Sequence, residues 1–104
     1  MSMINPQMFK KIQKMQEDLK KAQNEINNST FYGQAGGSVV KVAVKGTKQV
    51  LSIDIKKEDI DMNDVEMLQD LIVVALNDAF KRVDRELEET VGTLTQGIKM
   101  PGLF

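Results

Sequence analysis

"DVEMLQDLIVVALNDAFKRV", Asp64 to Val83, contains the apolar run Leu71–Leu76 on which the fold turns. Consecutive apolar residues over nearly two turns sweep every side of a helix, so a helical reading demands burial on more than one side. Read as a strand, the same run would fit a sheet covered on both faces. The flanks decide for the helix. "VEMLQD" before the run and "NDAFKR" after it carry helical spacing, and Leu68, Ile72, Ala75, Leu76, Ala79, Val83 and Leu87 fall within one continuous stripe. Asn63, Asp64, Val65 and Glu66 resemble a capping box, Asn63 bonding forward and Glu66 reaching back. The pattern predicts a long helix ending near Thr90, with Gly92 as its terminator.

Working upstream, "QVLSIDI" alternates, with Leu51, Ile53 and Ile55 on one face and Ser52 and Asp54 on the other. In "SVVKVAVKG", Val40, Val42 and Val44 share a face opposite Val39, Lys41, Ala43 and Lys45. Gly46-Thr47 makes a tight connection between these strands. Thr30-Phe31-Tyr32 is a third, short strand, and "GQAGG" at 33–37 reads as strand punctuation. Before it, Met8, Ile12, Met15, Leu19, Ala22 and Ile26 form a heptad seam on a first helix opened by Asn5 and Pro6 and stopped by "NNST". The expected fold class is α+β: helix, three-stranded antiparallel meander, long helix, in one domain spanning residues 1–104. The glycine-rich stretch from about 92 to 104 is expected to be a flexible tail.

Lengths point to a second copy. A first helix of about 22 residues spans ~33 Å and a second of about 27 spans ~40 Å, whereas seven-residue strands reach only ~23 Å. Both helices overhang the sheet as arms, and one sheet plus one helix leaves Val73 and Val74 facing water. A homodimer is the simplest remedy, with Leu71, Ile72, Val73, Val74 and Leu76 as its interface.

Composition narrows the function. The chain has no cysteine and no histidine, so disulfides, thiolate metal sites and the usual general base are excluded. Asp59, Asp61, Asn63 and Asp64 lack calcium-loop spacing and read as a solvated acidic connection. "GQAGG" lacks the lysine and following helix of a phosphate loop. No apolar run approaches the ~20 residues of a membrane span, so a cytoplasmic protein is expected. Net charge is −1 with a pI near 5.4, but the charge is uneven. Residues 6–27 carry five lysines against three acids, and residues 56–70 carry two against six. Lys10, Lys11 and Lys14 meet no acid before Glu17 and sit near a helix N-terminus, where amides also favour anions. Lys20 and Lys21 follow on that helix. Lys81, Arg82 and Arg85 form the basic cluster of the long helix, set among five acids in residues 78–89. Pairs at i,i+4 spacing (Lys14–Asp18, Glu17–Lys21, Asp78–Arg82, Arg85–Glu89) would neutralise part of both clusters. Residue pattern alone leaves two readings open: a salt-bridged solvent face, or cationic arms that grip phosphate.

Four blocks in order carry a resemblance: the Met/Gln/Lys-rich first helix, "AGGSVVKVAVKGTKQVLSIDI", "DVEMLQDLIVVALNDAFKRV" and "GTLTQGIKMPGLF". Together they resemble the YbaB/EbfC family of bacterial nucleoid-associated proteins over nearly the whole chain. The resemblance implies a cytoplasmic, nucleoid-associated homodimer with a compact body and tweezer-like helical arms that binds double-stranded DNA. It implies no enzymatic activity, cofactor, metal or membrane. DNA contacts lie on the first and last helices in that family, which here suits Lys10, Lys11, Lys14, Lys20 and Lys21 with Lys81, Arg82 and Arg85. One departure matters: Thr90-Val91 stands where relatives carry lysine, with Glu86, Glu88 and Glu89 nearby. That shifts the expectation toward the first helix and toward weak, sequence-tolerant binding. The alternative is a protein-interaction module with incidental DNA binding, its contact surfaces the acidic segment 56–70 and the tail "KMPGLF".

Overall fold

The computed structural model describes residues 5–96. The order is α1 (Pro6–Asn28), β1 (Thr30–Ala35), β2 (Val40–Lys45), β3 (Val50–Ile55) and α2 (Val65–Leu94), with a single 3-10 turn at Lys57–Asp59. The strands form one antiparallel sheet in the order β1-β2-β3. The α+β element order therefore agrees with the sequence reading.

Local chemistry sets the helix ends. The Asn5 side chain accepts from the Met8 amide at 2.7 Å, and Pro6 occupies the first turn, where its missing N–H costs nothing. At α2 the cap is Asp64, not Asn63: its Oδ1 accepts from the Met67 amide at 3.1 Å. Asn63 is held outside the helix, its own amide donating to Asp61 Oδ1 at 2.9 Å. The capping box is absent, because Met at the third helical position cannot reach back. At the far end α2 runs through Gly92 to Leu94. A lone interior glycine costs about 1 kcal/mol, too little to stop a helix this long. The Thr93 and Thr95 hydroxyls donate to the carbonyls of Glu89 and Val91 at 2.9 and 2.7 Å. The Val91 carbonyl also accepts the Thr95 amide at 3.0 Å, so the hydroxyls are second donors to carbonyls already in the helical ladder. The expected tail thus loses its first residues to the helix, and residues 97–104 lie outside the described part.

Val40, Val42 and Val44 of β2, Ala35 of β1, Ile26 of α1 and Ala75, Ala79 and Val83 of α2 make the core. Two glycines let the helices reach it. Gly33 is not punctuation but the middle of β1, opposite Val42. A Cβ there would stand 2.2 Å from the Ala75 carbonyl oxygen and 2.5 Å from the Ala79 amide nitrogen. The backbone of α2 therefore lies directly on β1, and the small Ala75 and Ala79 complete the close approach. Gly46, at the end of β2, does the same for α1: a Cβ would stand 1.8 Å from the Ile26 carbonyl oxygen.

α2 lies over β1 and β2 and leaves β3 beside it. The register also shifts near Ala43/Val44, so that Val50, not Leu51, comes opposite Val44. The apolar row of β3 is Val50, Ile53 and Ile55, and Leu51 is the unpaired bulge residue. Val50, Leu51 and Ile53 are all exposed.

Candidate nucleic-acid interface

α1 runs into the sheet and α2 runs out of it, and the two helices pack against each other. The last turns of α2, through Thr93 and Leu94, lie abreast of Asp18, Lys21, Ala22 and Glu25. The seam of α1 faces this contact: Met15, Leu19 and Ala22 are half-buried and Ile26 is buried. Pro6–Lys11, by contrast, are all exposed. At 1.5 Å per residue α1 is ~35 Å long and α2 ~45 Å. The described residues measure 70 Å along their longest axis, more than either helix.

Lys10, Lys11, Lys14, Lys20 and Lys21 are exposed on α1. Among the described residues only Lys14 of these five has a carboxylate within ion-pair reach, Asp18 at 3.9 Å. That pair is long and well solvated, and such pairs hold a lysine by roughly 0–1 kcal/mol or less. Glu17–Lys21 does not form, so the α1 face is less self-neutralised than i,i+4 spacing suggests. No acid occupies the first turn of α1.

The basic cluster of α2 divides. Arg82 and Arg85 line a shallow hollow with Thr30, Phe31 and Tyr32 at the β1 edge, together with Glu86 and Glu89. The Arg82 Nε reaches Asp78 at 3.6 Å, while Arg85–Glu89 does not form an ion pair among the described residues. Asp78 also accepts from the Gln34 amide at 3.1 Å. Lys81 stands outside that hollow, exposed to solvent. The α1 cations do not share one face, since Lys11 and Lys20 lie on opposite sides of the helix, and those of α2 are interleaved with acids.

The residues expected at a dimer interface separate too. Leu71, Ile72 and Leu76 pack partly against the core of their own subunit. Val73 and Val74 are each 54% exposed, as the all-round apolar run requires of a single copy. Sequence reasoning missed two exposed aromatics, Phe9 on the arm and Tyr32 on the sheet. For Phe9 a signal was available: it is apolar and lies off the heptad seam.

A sequence description of the YbaB/EbfC DNA-binding family matches residues 2–98. The chain belongs to the YbaB/EbfC DNA-binding family. Within it, the chain is similar to a nucleoid-associated protein of Pelotomaculum thermopropionicum, 45% identical over 97 residues that cover 93% of this chain and 92% of that one. A nucleoid-associated protein of Bacillus licheniformis is 51% identical over 80 residues, 77% of this chain and 75% of that one. Among solved structures, the uncharacterized protein HP0035 of Helicobacter pylori has the same fold, with a TM-score of 0.70 at 19% identity over 89% of this chain and 98% of that one. Among the described residues no helix is long and apolar enough to cross a membrane.

Proposed function

We propose that this protein is a nucleoid-associated DNA-binding protein that acts as a homodimer and holds duplex DNA through phosphate contacts. The observation that carries the reading is the exposed end of α1, where Lys10, Lys11 and Lys14 precede any acid. Lys20 and Lys21 extend that surface toward the body, and Lys81, Arg82 and Arg85 add weaker contacts because Asp78, Glu86 and Glu89 stand among them. Lysine ammonium groups neutralise phosphates without reading bases, so binding tolerates many sequences and influences gene expression through nucleoid organisation. The second copy covers Val73 and Val74 and brings two arms to one duplex. The names of the relatives support the nucleoid setting.

A gel-shift titration with random duplexes at several salt concentrations tests this. With about six lysines engaged per dimer, log affinity falls against log salt with a slope near −5. The triple variant K10E/K11E/K14E loses binding and keeps its helix content. Absence of binding at low salt, or binding indifferent to salt, contradicts the reading. Co-purification with a protein that survives nuclease treatment would favour the interaction-module alternative.

A further inference from the structure

We infer that Phe9 is an apolar wedge that enters a base step of the bound duplex and kinks it. The inference rests on the DNA-binding reading above. Phe9 is 53% exposed and lies in the exposed first turns of α1. It is about 100° of helical arc from Met8 and about 60° from Ile12, at the border of the seam, and it stands exposed among the described residues. Isolated exposed apolar residues are ordinary; Phe9 is set apart by its neighbours. On its stripe, at i+4, i+7 and i+11, follow Gln13, Gln16 and Lys20, all exposed. To one side of the stripe stand Lys10 and Lys14, with the exposed Glu17 between them and it. An aromatic ring, two carboxamides and flanking ammonium groups make up the chemistry that minor-groove binders use. The ring unstacks a step, the amides meet groove acceptors and the cations hold the phosphates. A phosphate-only surface has no use for the ring. A protein partner that covered it would also have to match this excess of lysine. The charge therefore commits the face to a polyanion with a stack to enter.

The test is the end-to-end distance of a doubly labelled duplex of roughly 30 base pairs, read by energy transfer at saturating protein. Side-chain wedges kink DNA by about 20–90°, so the wild-type protein brings the ends together. Phe9→Ala binds with the same salt slope but leaves the ends at their free-DNA distance. Phe9→Leu, still a wedge, keeps most of the bend. K10E/K11E/K14E neither binds nor bends. Wild-type binding without a bend, or a Phe9→Ala complex as bent as wild type, overturns the wedge and leaves phosphate binding standing. No binding by the wild type overturns both.

Discussion

β1 and β3 flank the same central strand and have the same length, yet α2 covers one face of β1 and leaves β3 exposed. Val42 makes the contrast sharp. Its neighbours across the sheet are Gly33 on β1 and Ile53 on β3. Val42 is 2% exposed and Ile53 is 43% exposed. The difference lies in what sits above each strand. Gly33 lets the backbone of α2 down onto β1, and Asp78 then holds the Gln34 amide on that strand's outer edge. β3 has neither device, and Val50, Leu51 and Ile53 stay exposed while Ile55 alone reaches the core. Alternation tells which face of a strand is apolar; a close approach by another element decides whether that face is covered.

The largest effect is expected from removing the approach. Gly33→Val drives side-chain atoms into the carbonyl of Ala75, and α2 cannot stay on β1. We expect a loss above about 3 kcal/mol, beyond ordinary overpacking, seen as failure to fold or as a large fall in the thermal midpoint by circular dichroism. A thermal midpoint close to wild type would mean that α2 does not rest on this strand. Next comes the pair of opposed residues. Val42→Ala should cost about 2 kcal/mol, because it empties a buried site. Ile53→Ser should change the intrinsic stability of one subunit by only about 0.5 kcal/mol, yet weaken self-association. Equal effects at both positions, independent of protein concentration, would erase the distinction between the flanks. Asp78→Ala frees one exposed edge amide to water and should cost about 1 kcal/mol, less than Val42→Ala, measured by urea unfolding. It should leave self-association unchanged, since Asp78 lies on the covered side.

Much of this was legible in the sequence. Asn5 and Pro6 announced α1, the three valines of β2 announced its buried face, and the flanks of Leu71–Leu76 settled that run as a helix. What could not be read depends on contacts distant in sequence. Gly33 looks like a turn residue until α2 is seen pressing on it. Asn63 and Asp64 are equally good caps, and the choice turns on the hydrogen bond between Asn63 and Asp61. The bulge at Leu51 replaced one apolar residue by its neighbour without altering the pattern. Gly92 carries a stop signal too weak to end so long a helix. For the interface, the lysines of α1 were evident from composition. The division of the α2 cluster was not, because Tyr32 and the β1 edge meet Arg82 and Arg85 only in the folded chain.

The claim that joins the bare flank to the arms is that a second copy covers β3 and the Val73–Val74 face. Sedimentation equilibrium in dilute solution tests it most directly. The account predicts a mass of twice the 11.7 kDa chain, falling to a single chain in the variant V73D/V74D with its helix content retained. A stable wild-type species of one chain would contradict it, and the paired arms would then have no basis.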